Sequence, residues 1–311
     1  MDTFVQQLIN GLVLGCMYAL VALGYTMVYG IIGLINFAHG DVLMIGALVS
    51  YSVATALMES SPNLSGWLAL AVALPVSMGA CVGLNLLIER LAYRPLRSAP
   101  RLAPLITAMG VSLLLQALAM VIWLPSPKPY PQLIPDTVFD VWADGPVITL
   151  TQLLILGVTT AVLALLMALV LRTRLGRAMR ATAENPQVAA LMGVQPDRVI
   201  AATFAIGAAL AALAGVMWAA NYGTVQHTMG FLPGLKAFTA AVFGGIGNLA
   251  GAMVGGLLLG LIESMGAGYL GSWTGGVFGS NYVEIFAFAV LIAVLTLRPS
   301  GLLGERVADR A

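Results

Sequence analysis

Long apolar segments, separated by short polar ones, run along most of this chain. Five uncharged or almost uncharged stretches have the length of one bilayer crossing, about 20 residues, and they cover 66–88, 104–124, 150–171, 199–220 and 283–297. Two further apolar regions, 3–58 and 237–279, are longer than one crossing, so each is predicted to hold two segments. The pattern predicts an all-α, polytopic membrane bundle of about eight membrane segments, folded as one domain over residues 1–311.

Polar residues interrupt the first long region near its middle, at His39 and Asp41. Ionisable groups are costly in hydrocarbon, and irregular backbone at membrane depth is tolerated only inside protein or along a cavity. We therefore expect a broken helix there, with Gly40 ending one half and the Asp41 carboxylate capping the N-terminus of the next.

The second long region is predicted to break as well. Gly244, Gly245 and Gly247 tolerate unusual backbone dihedrals. One arrangement that fits is a short re-entrant segment at 237–247 followed by a helix at 249–270 that returns. Glu263 lies within that helix and must pair with another group or face water.

Two roles remain open for the first break. In the structural role, Asp41 caps the helix and His39 hydrogen-bonds a carbonyl group or Glu263. In the transport role, freed carbonyl groups and Asn36 line a path for a polar substrate. The pathway or helix-break candidates are Asn36, His39, Gly40, Asp41 and Glu263.

Glycines recur at four-residue spacing, which lets membrane helices approach closely. The pairs are Gly11 with Gly15, Gly79 with Gly83, and Gly256 with Gly260. Gly247, Gly251 and Gly255 form a triplet. We expect tight helix packing at these positions.

The arginines predict the orientation, because cytoplasmic loops retain basic residues. All basic residues except Lys128 and Lys236 lie in three segments, 90–101, 172–198 and 298–310. These segments are predicted to be cytoplasmic, which puts the C-terminus inside. Counting crossings from them places the N-terminus outside, together with the proline-rich loop 125–148, which is expected to be irregular.

Composition agrees with a membrane protein and argues against an enzyme. The chain is 60% hydrophobic and 9% charged, with a mean hydropathy of +0.96. Neither lysine lies in a phosphate-binding Gly-x-x-x-x-Gly-Lys loop, and no Gly-x-Ser-x-Gly elbow is present. The two histidines lack metal-ligand spacing to other donors. The sequence thus predicts no catalysis, no metal and no cofactor.

The segment 172–198 is unusually long for a connection between two membrane helices. Asn185 followed by Pro186 predicts the start of a short helix, which Gly193 ends. Its apolar residues either pack on the membrane or the bundle, or they dock into a cytoplasmic partner.

Four long stretches carry a resemblance to a known family. They read MYALVALGYTMVYGIIGLINFAHGDVLMIGA (17–47), ERLAYRPLRSAPRLAPLITAMG (89–110), GRAMRATAENPQVAALMGVQPDRVIAATFAIGAALAALAGV (176–216) and GLKAFTAAVFGGIGNLAGAMVGGLLLGLIE (234–263). Together they resemble the LivH-type permease subunit of branched-chain amino-acid ABC importers. The loop 125–148 matches no motif of that family.

The resemblance implies a bacterial inner-membrane, multi-pass subunit in contact with membrane lipid and not with nucleic acid. It implies as partners two cytoplasmic ATP-binding subunits, a second, LivM-like permease and a periplasmic substrate-binding protein. It also implies that the segment 172–198, called the coupling segment below, docks in the ATPase. The residues assigned to that contact are Arg180, Glu184, Asn185, Gln187, Leu191, Met192 and Gly193.

Two other functions remain open. A urea or short-amide ABC permease is close to this family in sequence. A proton-coupled secondary transporter would instead use His39, Asp41 and Glu263 as a proton relay.

Overall fold

The computed structural model describes residues 2–96, 99–100, 102–142, 145–277, 282–298 and 301–304. Its α-helices are α1 (Asp2–Ile32), α2 (His39–Ser60), α3 (Gly66–Ile88), α4 (Leu102–Trp123), α5 (Leu150–Arg172), α6 (Arg174–Glu184), α7 (Pro186–Leu191), α8 (Pro196–Tyr222), α9 (Phe231–Gly244), α10 (Leu249–Trp273) and α11 (Val283–Leu297). Arg97, Arg101, Arg306 and Arg310, which belong to the predicted cytoplasmic segments, lie outside the described residues.

The described residues include seven helices long and apolar enough to cross a membrane, namely α1 to α5, α8 and α10, with α3 continuing to Leu96. The apolar helices α9 and α11 are shorter, with 14 and 15 residues. Fourteen residues span about 21 Å, less than the hydrocarbon thickness of about 30 Å. The predicted polytopic all-α bundle is confirmed, and so is the division of each long apolar region into two segments.

The centre of the bundle is α1, whose residues from Tyr18 to Gly24 are all buried. It packs against α10, α8 and α9. By contrast, only 22% of the apolar window of α4 and 17% of that of α5 are buried within the chain, so these helices lie at its periphery.

Glycines allow α1 and α10 to touch backbone to backbone. A Cβ atom on Gly15 would lie 2.7 Å from Leu257 Cα, and one on Gly256 would lie 2.6 Å from Ala19 Cα. The predicted close packing is confirmed there. It is wrong for Gly79 and Gly83 among the described residues, because a Cβ atom on either glycine would meet none of their atoms within 4 Å. Spacing alone does not decide whether a neighbour is present.

Four short strands gather at one end of the bundle, called the strand end below. Strand β1 (Lys128–Pro129) pairs antiparallel with β4 (Thr224–Val225), and β2 (Val138–Asp140) pairs antiparallel with β3 (Val147–Thr149). The loop 125–148 is therefore partly ordered by strand pairing, so the prediction of an irregular loop is wrong for these residues.

Tyr130 ties this loop to the bundle. Its hydroxyl group lies 2.7 Å from Ser50 Oγ of α2. Burial raises the pKa of Tyr130 above its ordinary value, although the hydrogen bond with Ser50 opposes the shift. The loop is thus held against α2 by a buried polar contact.

The opposite end, called the arginine end, carries α6 and α7. Arg94 forms an ion pair with Asp197 there, which joins two of the three basic segments. The chain beyond α11 also returns to this end, since Leu302 N and Leu303 N each donate, at 2.9 Å, to carbonyl oxygens of Phe243 and Gly244 at the end of α9. These bonds satisfy carbonyl groups that a helix end leaves unpaired.

Candidate transport site and coupling segment

The first helix break lies at residues 33–38, upstream of its predicted position. Helix α1 ends at Ile32, where Gly33 adopts a left-handed φ of +68°. Helix α2 begins at His39, and its N-cap residue Ala38 makes no side-chain cap. The break itself is confirmed, but the roles predicted for Gly40 and Asp41 as helix end and cap are wrong.

Gly40 instead allows two helix starts to meet. A Cβ atom on Gly40 would lie 2.5 Å from the Gly230 carbonyl oxygen and 2.7 Å from Gly234 Cα. Gly230 precedes α9 and Gly234 lies in its first turn. The beginning of α9 therefore packs directly on the beginning of α2, and only glycine permits this contact.

His39 and Asn36 are held by buried aromatic residues. The His39 ring packs edge-on against the Tyr25 ring, with centroids 4.8 Å apart, and Gly24 leaves room for it because a side chain there would overlap the imidazole. Asn36 Oδ1 accepts a hydrogen bond of 2.7 Å from the Tyr93 hydroxyl. All of these side chains are buried, so they fix the path of the chain through the break.

Asp41 points toward another helix. Its Oδ1 accepts a hydrogen bond of 3.0 Å from Gln116 Nε2 of α4. Gln116 in turn lines a cavity of about 710 Å³ near the strand end. Asp41 therefore bonds a residue of the cavity wall instead of capping α2.

Glu263 lies in a cluster that the sequence analysis missed. It accepts hydrogen bonds from Lys236 Nζ at 2.7 Å and from the Tyr18 hydroxyl at 2.9 Å. Lys236 Nζ also lies 3.0 Å from Glu284 Oε1. We call Tyr18, Lys236, Glu263 and Glu284 the lysine cluster. Glu263 is thus paired, as its position in an apolar helix requires, and the alternative in which its partner is His39 is wrong.

A signal for Lys236 was present in the sequence. It is a lone lysine inside an apolar stretch, and such a charge at membrane depth requires a partner. Its partner Glu263 lies 27 residues away, so spacing along the chain could not identify the pair.

Two cavities meet at the lysine cluster. The larger measures about 710 Å³ and the smaller about 490 Å³, and both are lined by Leu14, Tyr222, Glu263 and Glu284. Pro127 and Thr224 also line the larger one. The larger cavity therefore extends from the strand end to charged groups inside the bundle, which is suited to a polar solute crossing apolar surroundings.

The three residues of the hypothetical proton relay do not form a chain of contacts. His39 packs on Tyr25 of α1, Asp41 bonds Gln116 of α4, and Glu263 bonds Lys236 of α9. Each belongs to a different packing environment, which does not favour a relay through them.

The coupling segment contains two helices where one was predicted. The predicted start at Pro186 is confirmed, because Asn185 Oδ1 accepts hydrogen bonds from Gln187 N at 3.0 Å and Val188 N at 3.1 Å. The preceding α6 was not predicted. It buries Gly176 and Met179 against the bundle and exposes its arginines.

The tip of the coupling segment exposes large apolar side chains. Leu191 is 87% exposed and Met192 is 81% exposed. Gly193 follows with a left-handed φ of +85°, and Val194 packs back against the bundle. The tip therefore presents Leu191 and Met192 to the surroundings on a defined turn.

Arg180 connects the coupling segment to the end of α5. Its guanidinium donates to the Val170 carbonyl oxygen of α5. Arg180 also lines a cavity of about 140 Å³ together with Gly30 of α1 and Gly247 between α9 and α10. Arg180 therefore links α6 to α5, and the cavity beside it borders the end of α1 and the loop after α9.

The fold and these two sites define a multi-pass membrane protein with a cavity that reaches charged groups and a segment with exposed apolar side chains. The chain belongs to the family described as branched-chain amino acid transport system / permease component, whose model matches residues 7–295. No solved structure matches it significantly.

Named relatives share this similarity over almost their full length. The high-affinity branched-chain amino acid transport system permease protein BraD of Pseudomonas aeruginosa is 47% identical over 310 residues, covering 99% of this chain and 98% of the relative. The corresponding permease protein LivH of Escherichia coli K12 is 43% identical over 313 residues, covering 99% and 97%. A probable LivH of Methanocaldococcus jannaschii is 30% identical over 301 residues, covering 92% and 88%.

Proposed function

We propose that this chain is the LivH-type permease subunit of a bacterial inner-membrane ABC importer for leucine, isoleucine and valine. The observation that carries the proposal is the similarity to named branched-chain amino acid permeases along almost the whole length of both chains. The cavity that reaches buried charges inside the bundle supports it, because a polar solute must be shielded from lipid.

The importer contains further subunits. The sequence carries no nucleotide-binding loop, so two cytoplasmic ATP-binding subunits supply the energy. A second, LivM-like permease completes the membrane part, and a periplasmic binding protein delivers the amino acid. The N-terminus then lies outside and the C-terminus in the cytoplasm, which agrees with the arginines of α6 and Arg94 lying at one end of the bundle.

The coupling segment transmits ATP-driven movement of the ATPase to the bundle. Leu191 and Met192 are the apolar anchors, because such exposed apolar side chains are most stable when a partner covers them. Glu184 and Gln187 offer exposed polar groups beside them. Asn185 and Gly193 shape the turn before and after α7, and Arg180 connects it to α5.

The pathway candidates divide into two groups. Asn36, His39, Gly40 and Asp41 are buried in packing and hydrogen bonds that hold the first helix break. Glu263 instead lines both cavities. We assign the first four to positioning α2 and Glu263 to the pathway. The contacts of His39, Asp41 and Glu263 do not favour the proton-coupled alternative.

The test is uptake into proteoliposomes that contain this chain with its co-purified subunits and the binding protein. ATP inside the vesicles should drive accumulation of radiolabelled leucine, and unlabelled isoleucine and valine should compete with it. Urea should not compete. Uptake driven by a proton gradient without ATP, or competition by urea alone, would contradict the proposal.

A further inference from the structure

The lysine cluster combines two carboxyl groups with one ammonium group inside the bundle. The side chains of Lys236 and Glu263 are only 8% and 15% exposed, while that of Glu284 is 48% exposed. Buried charges are costly unless they are paired, and the pairing here is unequal. Two carboxylates against one ammonium leave one negative charge in excess, on the side that faces the cavities.

The ammonium group of Lys236 also has bonding capacity left. An ammonium carries three N–H donors, and the two carboxylates at 2.7 Å and 3.0 Å use at most two of them. The Tyr18 hydroxyl already donates to Glu263. The cluster therefore offers one more donor from Lys236 next to an accessible carboxylate acceptor at Glu284.

Apolar side chains surround this polar pair. Trp218, Met229 and Leu232 line the larger cavity together with Lys236 and Glu284. A cavity of about 710 Å³ lies within the range of about 300–1,000 Å³ that small-molecule sites occupy. Shape and polarity together fit a small molecule that has one cationic group, one anionic group and an apolar body.

We infer that the lysine cluster binds a zwitterionic amino acid inside the permease, with the substrate carboxylate on Lys236 and its ammonium group on Glu284. The apolar side chain lies on the cavity wall. The inference rests on the proposed function, because it gives the permease its own contact with the amino acid after the binding protein has released it.

A labelling experiment tests this site without requiring transport. Thr228 is an exposed residue of the cavity lining, and both native cysteines are buried. The variant Thr228→Cys in the purified complex is reacted with a cationic thiosulfonate reagent. Millimolar leucine should slow the reaction, whereas isocaproic acid, without the ammonium group, and isoamylamine, without the carboxylate, should slow it much less.

The substitution Glu284→Gln in the same background should abolish protection by leucine. Glu59→Gln is the matched control, because Glu59 is an exposed glutamate at the far end of α2. Equal protection in the Glu284→Gln and Glu59→Gln proteins, or no protection by leucine in either, would overturn the inference.

Uptake separates this inference from the proposed function. If the unsubstituted complex imports leucine, Glu284→Gln should lower the rate by about tenfold, as expected for the loss of one charge-assisted contact, and Glu284→Asp should restore part of it. Import that Glu284→Gln leaves unchanged overturns the site alone. If leucine protects the cysteine in a complex that does not import leucine, the proposed function is overturned but the binding site is supported.

Discussion

Two regions of the molecule differ in how much room they leave for side chains. One is the contact between α1 and α10, and the other is the tip of the coupling segment. Between the two helices, glycines bring backbones into contact, so that a Cβ atom on Gly15 would lie 2.7 Å from Leu257 Cα. At the tip, Leu191 and Met192 are more than four-fifths exposed. The first region has no room for a side chain, and the second has large apolar side chains that the described part of the chain leaves exposed.

The difference separates residues that hold the bundle together from residues that we propose are covered by a partner. Lipid is as apolar as a leucine side chain, so close packing of small residues holds membrane helices together. An exposed leucine at the arginine end gains free energy when another apolar surface covers it, and we propose that this surface belongs to an ATP-binding subunit. Substitutions in the first region should therefore change folding, and those in the second should change transport.

The largest effect is expected for Gly15→Val. The new side chain overlaps the Leu257 backbone, which cannot move aside as a flexible side chain could, and such overpacking costs about 1–3 kcal/mol or more. Folded protein recovered by size-exclusion chromatography should fall sharply. The matched control is Gly79→Val, because a Cβ atom on Gly79 meets nothing within 4 Å. Equal recovery of the two variants would refute the close contact of α1 with α10.

The second-largest effect is expected for the double substitution Leu191→Ser with Met192→Ser. Covering a leucine or methionine side chain contributes about 1.5–3 kcal/mol each, so ATP-driven leucine uptake should fall at least tenfold. Folding and thermal stability should not change, because both side chains are exposed. A control pair at the strand end, Val138→Ser with Val141→Ser, removes exposed apolar groups without touching α7. Normal uptake by the first double variant would contradict its assigned role.

A smaller loss is expected for Gly193→Ala. The left-handed φ of +85° costs a residue with a side chain about 1–2 kcal/mol, which should shift the turn that orients Leu191 and Met192. Uptake should fall several-fold, while the melting temperature in detergent stays close to that of the unsubstituted protein. Gly83→Ala, at a helical position with free space, should leave both quantities unchanged. Equal uptake by the Gly193→Ala and Gly83→Ala variants would show that Gly193 has no role in coupling.

The smallest effect is expected for Asn185→Ala. Loss of the hydrogen bonds that cap α7 costs about 1 kcal/mol, so α7 frays and uptake falls by a factor of two to five, on the order expected from that energy. Asn185→Ser should restore most of the uptake, since serine also caps helices. Failure of serine to restore uptake would indicate that Asn185 acts by direct contact and not through the cap.

Helices with uninterrupted apolar sequence could be predicted closely from the sequence. The segments predicted at 66–88 and 150–171 became α3 and α5 with nearly the same bounds. Helix α6 was missed because its arginines face outward and only a few small or apolar residues, such as Gly176 and Met179, face the bundle. A short amphipathic helix of this kind carries too few apolar positions to separate it from a loop.

The candidate site was only partly predictable, because its contacts join distant parts of the chain. The first break was expected from His39 and Asp41, but the left-handed Gly33 ends α1 earlier. Asp41 precedes an apolar run as a cap would, yet its carboxylate bonds Gln116 of α4. Helix packing brings Asp41 and Gln116 together, and no local sequence pattern could have predicted that contact.

Co-purification tests the central claim, that this chain is a permease subunit driven through its exposed coupling tip. The tagged chain is extracted from its native membranes in mild detergent, and its partners are identified by mass spectrometry. The unsubstituted chain should recover an ATP-binding subunit and a second permease, and Leu191→Ser with Met192→Ser should lose the ATP-binding subunit but keep the permease. Recovery of the unsubstituted chain alone, or equal recovery of the ATP-binding subunit with both proteins, would contradict the claim.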